Sequence, residues 1–406
     1  MLTYEDALAR ILRGTPAPRV ASVPLDDALG LTLARSIRAP VDLPRFDNSA
    51  VDGYAIRIMD GPSQPDETPS ASWRVIGAAE AGRPFRGTLR AGQAVRILTG
   101  AQVPRGAEAI LMQEQAQRQG DRLIARQPSR PGQHIRRRGE DLRRGVLVLA
   151  AGTTLRPQEL GLLAAMGYRA APVYPRPTVA VLATGDELQA PGSRLKPGGI
   201  YESNSYLLTA LIRCAGARAI RLGLVRDVPH SLERAMRRGL RADVLIVSGG
   251  VSVGDKDFVR RVARRCGVRQ RFWQVSIKPG MPVFFGRCQR TMVFGLPGNP
   301  VSAFVTFEEF VTPALHRLMG RPWRDRYVTV ATLAQELRPS MSRRTHFIRV
   351  RVGSDNGQPI AQPLGGQGSH QLRSLAEADG WIRVTADEGP FAAGTTVMVK
   401  QSEGSV

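Results

Sequence analysis

A glycine-rich segment at residues 248–254, which reads SGGVSVG, has the composition of an anion-binding turn. It follows the apolar run 244–247, which predicts a strand covered on both faces, and it precedes a helical pattern at 255–264. A glycine turn between a strand and a helix aims backbone N–H groups at one point, where a phosphate group can bind. Asp255 and Asp257 add carboxylates of the kind that hold a phosphate-bound Mg²⁺. We therefore predict a nucleotide-like ligand, although a plain phosphate-binding α/β loop explains the glycines equally well.

Three more segments follow predicted strands and are expected to reach the same place. They are ATGDE at 183–187, RD at 226–227 and GLPGNPVS at 295–302. Because the carboxyl ends of parallel strands lie at one edge of a sheet, these loops are predicted to line a common crevice. Local structure offers a second explanation for part of the pattern. The first segment is also a common turn sequence, and Asn299 with Pro300 can begin a helix.

Lys278 and two carboxylate-bearing segments are further candidates for chemistry. Lys278 is one of only four lysines in a chain with 57 lysines and arginines, which suggests a role for a compact ammonium group. Asp52 lies in FDNSAVDGYA at 46–55, and Asp141 lies in GED at 139–141. Taken alone, the lysine is more often a surface residue, and each carboxylate segment is more often a turn than a site.

The elements that must position these residues fall into three regions. Strands and helices alternate between about residues 177 and 321, which predicts a doubly wound, mostly parallel sheet. Residues 36–145 contain short β-rich pieces between Gly and Pro clusters and predict an inserted β-rich domain. After residue 323 the period of the apolar residues returns to two, which predicts a small C-terminal β-barrel or sandwich. The predicted fold class is therefore multidomain α/β.

The predicted domains cover the whole chain. They are an N-terminal helical segment that packs with the α/β domain (1–26), a linker and helical domain (27–45 with 145–175), the β-rich inserted domain (46–144), the α/β domain (176–322) and the C-terminal β-barrel domain (323–406).

Composition narrows the classes of function. The 406 residues carry a formal net charge of +22, but the arginines are dispersed in small groups and do not form a stripe. This favours a solvated surface that attracts small anions over nucleic-acid binding. Three cysteines without a C-x-x-C pair fit a reducing compartment, and no signal peptide or membrane span is visible, so a cytoplasmic protein without a membrane partner is expected. Walker and G-x-G-x-x-G motifs are absent from the sequence.

Together, the segments resemble the MoeA/gephyrin E-domain family of molybdopterin molybdenumtransferases. The matching pieces are FDNSAVDGYA, RRRGEDL, LATGDEL, SGGVSVGDKD, IKPG, GLPGNPVSA and, more loosely, THFIRV and GQGSHQLRSLAEADG, which span residues 46–380. The resemblance implies a four-domain subunit in a homodimer, with an α/β domain of the molybdopterin-binding type. It implies an enzyme that cleaves molybdopterin-adenylate in the presence of Mg²⁺, attaches molybdenum from molybdate to the pterin dithiolene and releases AMP. Other cofactor-biosynthesis proteins and apo-molybdoenzymes are the further partners it suggests.

The resemblance also assigns roles to residues of this sequence. The catalytic carboxylates would be Asp52, Asp141, Glu187, Asp227 and Asp257, with Asp52 and Asp141 acting across the dimer. Glu187 and Asp257 would hold Mg²⁺. The pterin and phosphate end of the ligand would contact Thr184, Gly185, Ser248, Gly249, Gly250, Ser252, Gly254, Pro297, Gly298 and Asn299. Molybdate would lie among Lys278, Ser302, Arg349 and Ser369.

One residue departs from the pattern of the family. The family commonly reads K-P-G-K-P, whereas Met281 stands here at the second lysine position. The departure predicts a weaker oxyanion site unless another cation substitutes. Two alternative functions stay open at this point: adenylylation of molybdopterin on the same α/β fold, and a non-catalytic pterin-binding scaffold.

Overall fold

A computed structural model of the chain describes residues 1–58, 72–250, 258–322, 328–338, 343–385 and 388–401. The chain forms two compact units. Unit 1 comprises Met1–Ala34, Thr154–Arg156 and Ala170–Val406, and unit 2 comprises Arg35–Thr153 and Pro157–Arg169. None of the helices within the described ranges is long and apolar enough to cross a membrane.

The helices are distributed over both units. They are α1 (Tyr4–Gly14), α2 (Pro157–Ala165), α3 (Asn204–Cys214), α4 (Pro229–Gly239), α5 (Phe258–Arg265), α6 (Pro300–Thr306), α7 (Thr312–Leu318) and α8 (Leu372–Ala376). Short 3₁₀ turns lie at Leu25–Asp27 and Gln113–Gln115.

The strands are mostly short. In the first part of the chain they are β1 (Ala21–Pro24), β2 (Thr32–Leu33), β3 (Ile37–Arg38), β4 (Asn48–Ser49), β5 (Gly53–Ile56), β6 (Ser72–Ala79), β7 (Gln93–Ile97), β8 (Ala109–Met112), β9 (Ala116–Gln119), β10 (Arg122–Ala125), β11 (Ile135–Arg136), β12 (Leu147–Leu149) and β13 (Ala170–Tyr174). They continue with β14 (Thr178–Thr184), β15 (Leu188–Gln189), β16 (Ile200–Tyr201), β17 (Arg218–Val225), β18 (Val244–Ser248), β19 (Arg269–Trp273), β20 (Ile277–Lys278), β21 (Phe284–Cys288), β22 (Thr291–Leu296), β23 (Val328–Leu333), β24 (Thr345–Asp355), β25 (Gln358–Pro363), β26 (Gly380–Val384) and β27 (Thr396–Lys400).

The main sheet of unit 1 has the strand order β17-β14-β18-β22-β21-β19. The pairs β17–β14, β14–β18 and β18–β22 are parallel. The pairs β22–β21 and β21–β19 are antiparallel. Only two residues, Gln289 and Arg290, separate β21 from β22, and a parallel connection would need a crossover of a dozen residues or more. The prediction of a doubly wound, mostly parallel α/β sheet is confirmed.

Helices cover both faces of this sheet because alternate residues of each strand point to opposite sides. Val179 and Val181 of β14 pack in one apolar cluster with side chains of α1, α3 and α6. Ala180 and Leu182 pack in a second cluster with α4 and α5. Each fully buried aliphatic side chain contributes about 1.5–3 kcal/mol. The two clusters therefore hold the strand ends, and the loops that follow them, in fixed positions.

The helix that follows β22 contains a π turn. The sequence predicts one helix from Pro300 to about Leu318, and the structure divides it into α6, a π turn at Phe307–Val311, and α7. Pro313 explains the irregularity, because its ring clashes with the carbonyl four residues earlier in a regular α-helix and its nitrogen has no hydrogen to donate. The π turn carries Glu309, which is buried.

Glu309 joins three parts of unit 1. Its carboxylate accepts hydrogen bonds from the Tyr4 hydroxyl of α1 (2.7 Å), from Trp381 Nε1 of β26 (2.8 Å) and from Lys400 Nζ of β27 (3.0 Å). A buried carboxylate is tolerated when donors surround it in this way, and removing one charge of such a pair leaves the other uncompensated. The contact ties the first helix and the C-terminal strands to the helix behind the main sheet.

The C-terminal strands form a closed barrel. The order β24-β25-β23-β27-β26 closes on itself through the pairing of β26 with β24, and β20 adds to the outside of β24. Inward-facing residues such as Val350, Ala361 and Val399 fill the barrel. The choice between a barrel and a sandwich, which the sequence left open, is resolved as a barrel.

Unit 2 is built mainly of strands, as the β-rich pattern predicts. Its largest sheet has the order β8-β5-β7-β6-β10-β9, and small sheets pair β11 with β4 and β12 with β3. Apolar clusters pack on the two faces of the large sheet, one around Trp73 and Leu111 and the other around Val95 and Ile110. A separate sheet of order β1-β13-β2 belongs to unit 1. The predicted domain boundaries stay a prediction.

Candidate functional site

A cavity of about 610 Å³ opens at the carboxyl edge of the parallel strands of unit 1. Loops after β14, β17, β18 and β22 contribute to its wall, together with the start of α3. The residues of the sequence-based prediction that line it are Thr184, Gly185, Glu187, Asp227, Ser248, Gly249, Gly250, Pro297, Gly298 and Asn299. Side chains from four separate segments of the chain therefore meet at one cavity. Ser252, Gly254 and Asp257, which the prediction also includes, lie outside the described residues.

The glycines of the cavity wall allow three loops to approach each other closely. Gly249 has φ +94°, and a Cβ there would collide with the carbonyl oxygen of Thr184. Gly250 has φ +63°, and its Cβ would lie 2.8 Å from Cγ2 of Val259. Gly298 packs beside this turn, since an added Cβ there would lie in ordinary contact with the Cα of Gly249, at 3.7 Å. Positive φ and close contact favour glycine at Gly249 and Gly250, so the start of the turn has the conformation that the sequence suggests.

Two carboxylates of the prediction stand on this wall. Asp227 follows β17 and accepts a short hydrogen bond from the Thr184 hydroxyl. Its backbone N–H donates to Asp186 Oδ1 at 3.2 Å. Glu187 folds back over Gly185, where an added Cβ would lie 2.9 Å from Glu187 Oε1. Oxygen ligands of this kind suit Mg²⁺. Within the described ranges, no group of three or more His, Cys, Asp or Glu side chains is arranged to hold a metal ion.

Asn299 does not cap the helix that it precedes. Its side chain makes no capping bond, and its Nδ2 instead donates to Ser369 Oγ at 2.8 Å. The Val301 N–H donates to the carbonyl oxygen of Ser369 at 3.2 Å. Asn299 and Pro300 therefore begin α6 as the local explanation predicts, but without a capping bond from the Asn299 side chain. The start of α6 is instead joined to the loop before α8, which also reaches the cavity through His370 and Leu372.

Arg349 is the most deeply buried cation near this loop. Only 1% of it is exposed, and burial lowers the pKa of its guanidinium. Nε donates to Ser374 Oγ (3.0 Å), and Nη2 donates to the carbonyl oxygens of Gly366 (2.6 Å) and Gly368 (3.2 Å). No described group accepts a hydrogen bond from Nη1. The described hydrogen-bond partners of the guanidinium are therefore all neutral, and the group keeps its charge, since arginine is not deprotonated in proteins.

The other residues predicted to bind molybdate are held by neighbouring segments. Lys278 lies on β20 and is paired with His346 of β24, the strand that also carries Arg349. Burial, and then the charges of Lys278 and Arg344, lower the pKa of His346. Ser302 is buried in α6. An added Cβ at Gly280 would lie 3.7 Å from the carbonyl oxygen of Ser302, so the Lys278 turn packs against the start of that helix. Met281, in the same turn, is half-buried.

Asp52 and Asp141 belong to unit 2. Asp52 Oδ1 accepts hydrogen bonds from the hydroxyl (2.6 Å) and the N–H (2.7 Å) of Thr99, and these bonds, with the nearby charge of Arg96, lower the pKa of Asp52. The backbone N–H of Asp141 donates to the carbonyl oxygen of Leu43 at 3.0 Å, and its side chain is exposed. Their part in a reaction stays a prediction.

Sequence reasoning missed Asn204, Glu202 and His370 on the cavity wall. Asn204 is the first residue of α3, and its Nδ2 donates to Ser248 Oγ (2.9 Å) and to the carbonyl oxygen of Gly298 (2.7 Å). Glu202 is buried and accepts from the N–H and the hydroxyl of Ser205, both at 2.6 Å. The run ESNS at 202–205 is polar at the start of a predicted helix, which is the usual composition of a helix start, so the sequence offers no signal that separates a cap from a site.

Comparisons with known proteins agree over the whole chain. Residues 2–167 match the family model of the MoeA N-terminal region (domain I and II), residues 180–317 match that of a probable molybdopterin binding domain, and residues 331–401 match that of the MoeA C-terminal region (domain IV). The chain is 40% identical over 402 residues to a protein named molybdopterin molybdenumtransferase 2 from Mycobacterium tuberculosis, with 98% of each chain covered. It is 36% identical over 404 residues to a molybdopterin molybdenumtransferase from Haemophilus influenzae, also with 98% of each covered. A crystal structure of a molybdopterin biosynthesis MoeA protein from Pyrococcus horikosii covers 100% of both chains, with a TM-score of 0.84 and 31% identity.

Proposed function

The chain belongs to the MoeA family of molybdopterin molybdenumtransferases, and from this premise we propose that it inserts molybdenum into molybdopterin by consuming molybdopterin-adenylate and molybdate. It is a transferase of molybdenum cofactor biosynthesis, as its curated relatives are. AMP is the second product of the proposed reaction. The protein acts as a homodimer in the cytoplasm, and it passes its product to other cofactor-biosynthesis proteins or to apo-molybdoenzymes.

The glycine-walled cavity supports the adenylate part of the proposal. Its wall offers hydroxyl groups from Thr184 and Ser248 and tight turns at Gly249, Gly250 and Gly298, which suit a phosphoanhydride and the pterin beside it. About 610 Å³ is within the range of small-molecule sites. Ser252 and Gly254 would also contact this end of the ligand. Thr184, Gly185, Pro297 and Asn299 would line the remainder of the ligand.

Mg²⁺ is the metal that the proposed reaction uses. Glu187 and Asp227 offer oxygen donors on one cavity wall, which is the donor type that Mg²⁺ prefers, so the residues present fit the ion. Glu187 and Asp257 would hold it. When bound, Mg²⁺ neutralises negative charge on the phosphoanhydride. Asp227, fixed by the Thr184 hydroxyl, keeps the ligand end of the cavity in position. Asp52 and Asp141 are the two further carboxylates of the proposed catalytic set.

The observation that carries the molybdate part is the buried guanidinium of Arg349. A buried cation is costly unless an anion balances it, and the described partners of Arg349 are one hydroxyl and two carbonyl oxygens, none of them charged. Its Nη1, which has no described partner, leaves hydrogen-bonding capacity for an oxyanion. The loop that Arg349 holds continues through Ser369, whose hydroxyl accepts a hydrogen bond from Asn299 on the cavity wall. Lys278 and Ser302 would complete the oxyanion site beside the adenylate.

Release of AMP tests the proposal. The full-length protein is incubated with molybdopterin-adenylate and Mg²⁺, and AMP is measured by chromatography as the molybdate concentration is raised. We expect AMP formation that requires molybdate and saturates with it. Absence of AMP at every molybdate concentration contradicts the insertase proposal. Formation of molybdopterin-adenylate from molybdopterin and ATP would instead assign the adenylylation reaction.

A further inference from the structure

Asn204 connects the two turns that close the cavity. Its Nδ2 donates to Ser248 Oγ, at the end of β18 where the first turn begins (2.9 Å), and to the carbonyl oxygen of Gly298 in the turn after β22 (2.7 Å). The orientation of the amide is determined by Gly298, because a carbonyl oxygen can only accept and a flipped amide would bring two oxygens together. Asn204 is 8% exposed, so water does not compete strongly for these bonds.

The orientation of Asn204 decides what the Ser248 hydroxyl can do. A serine hydroxyl has one hydrogen to donate and two lone pairs that accept. In Ser248 one lone pair receives the Asn204 N–H, so its own hydrogen must point elsewhere. Within the described part of the chain, no group accepts that hydrogen, and Ser248 lines the cavity. The hydroxyl is therefore available as a donor to an anionic group in the cavity.

We propose that Asn204 is a positioning residue that makes the Ser248 hydroxyl a hydrogen-bond donor to the phosphate group of the bound adenylate. The inference rests on the proposed function, since it assumes that an adenylate phosphate lies at the glycine turn. In this proposal Asn204 affects phosphate binding through Ser248 and makes no contact with the phosphate itself. A donor that is fixed before the ligand arrives binds an oxyanion more strongly than one that must first leave a protein acceptor.

The start of α3 is built to hold Asn204 in place. The Glu202 carboxylate accepts from both the N–H and the hydroxyl of Ser205, which fixes the first turn of the helix. Because a carboxylate already occupies this helix start, the helix itself is a poor site for the phosphate. The anion is thus directed toward Ser248 and the turns of Gly249 and Gly298, which Asn204 joins.

Calorimetric titration of the full-length protein with AMP and with adenosine tests this role, because only AMP carries the phosphate. We expect Asn204→Ala to weaken AMP binding about tenfold and to leave adenosine binding unchanged, since one hydrogen bond to a charged group is lost. Asn204→Asp keeps the shape of the side chain, but the new carboxylate accepts the hydrogen of the Ser248 hydroxyl. Ser248 then cannot donate to the phosphate, so the AMP affinity of Asn204→Asp should fall at least as much as that of Asn204→Ala. If Asn204 only filled space, Asn204→Asp would weaken AMP binding less than Asn204→Ala does, and the inference would be overturned.

The double variant Asn204→Ala/Ser248→Ala separates positioning from general support. If Asn204 acts through Ser248, the AMP affinity of the double variant equals that of whichever single variant binds AMP less tightly. If the losses in the two single variants instead add in the double variant, the inference is overturned. Thr209→Val is the matched control, because Thr209 lies on the same helix with a buried hydroxyl that has no described partner. Equal weakening in that control overturns the inference as well. A wild-type protein that does not bind AMP at all removes the proposed function itself, whereas normal AMP binding with unchanged Asn204 variants removes only the role of Asn204.

Discussion

At the scale of single residues, the proposed oxyanion site has a buried guanidinium and lacks one ammonium group of the family pattern. Arg349 holds the Gly366–Gly368 carbonyls with one edge of its fork and leaves Nη1 without a described partner. Met281 stands where the resembling family has a lysine. The two observations are complementary, because a site with one cation fewer relies more heavily on each cation that remains.

Arg349→Lys keeps the positive charge and removes the planar fork. We expect the molybdate concentration at half-maximal rate of AMP release to rise about tenfold, because a lysine cannot hold the carbonyl oxygens and present a further N–H group to the oxyanion in the same geometry. Arg351→Lys is the control, since Arg351 lies on the same strand and is exposed. An unchanged molybdate requirement in Arg349→Lys would place the oxyanion elsewhere.

Met281→Lys restores the lysine of the family pattern. An added ammonium in the Lys278 turn should lower the molybdate concentration at half-maximal rate, by severalfold, because the attraction of an oxyanion increases with each nearby cation. The same AMP-release titration measures it, with Lys278→Ala as the opposite change, which should raise the requirement. If Met281→Lys leaves the requirement as it is, another cation already fills the place of the missing lysine.

Sequence reasoning at this scale succeeded where a residue type has few uses and failed where it has many. Gly249 and Gly250 were identified because glycines directly after a strand predict a backbone conformation that other residues resist, and both have positive φ. Asn204 was missed because asparagine at a helix start is ordinarily a cap. The burial of Arg349 was equally invisible, because its partners lie 17 to 25 residues further along the chain and in a different turn.

At the scale of elements, the loops after β14, β18 and β22 function only if their glycines keep the turns tight. Gly249 illustrates this, since its backbone has φ +94° and an added Cβ would meet the carbonyl oxygen of Thr184. Gly223 of β17 has nearly the same backbone angle, φ +93°, but no atom lies within 4 Å of its Cβ position. Comparing alanine substitutions at the two glycines therefore distinguishes the effect of backbone strain from the effect of a collision with Thr184.

Both Gly249→Ala and Gly223→Ala should lose about 1–3 kcal/mol of unfolding free energy, because a residue with a Cβ is strained at positive φ. Only Gly249→Ala should also lose AMP binding, since the collision displaces the turn against Thr184. Urea unfolding and AMP titration on both variants measure the two effects. Normal AMP binding by Gly249→Ala would show that the turn does not contact the phosphate.

The elements themselves were predictable to different degrees. Apolar runs with the right flanking residues predicted β14, β18 and β22 and the helices between them, because buried parallel strands have an unmistakable composition. The antiparallel edge formed by β21 and β19 was not predicted, since only the short turn at 289–290 indicates it. The π turn at Phe307–Val311 was also missed, because Pro313 can end, kink or widen a helix and the sequence does not say which.

At the scale of the whole molecule, unit 1 depends on contacts between segments that are far apart in the sequence. Glu309 joins Tyr4 of the first helix to Trp381 and Lys400 of the last two strands. No periodic pattern encodes such a contact, so the sequence predicted the separate regions without predicting what joins them. The sequence also left open whether the C-terminal strands form a barrel or a sandwich, because the pairing of β26 with β24 that closes the barrel joins segments distant in the sequence.

Glu309→Gln should destabilise the protein by about 3 kcal/mol, because the half-buried ammonium of Lys400 loses the charge of a fully buried carboxylate. Glu336→Gln breaks an exposed pair with Arg338 and should cost less than about 1 kcal/mol. Urea unfolding of both variants compares them. Equal destabilisation of the two would mean that the Glu309 contact contributes no more than a surface ion pair.

The most direct test of molybdenum insertion is the environment of the metal after turnover. Molybdate presents only oxygen to molybdenum, whereas transfer to a pterin dithiolene gives sulfur neighbours. X-ray absorption at the molybdenum K edge distinguishes the two in the mixture of protein, molybdopterin-adenylate, Mg²⁺ and molybdate. We predict sulfur neighbours that form in step with AMP release. A spectrum with oxygen neighbours alone, while AMP accumulates, would contradict insertion and leave only hydrolysis of the adenylate.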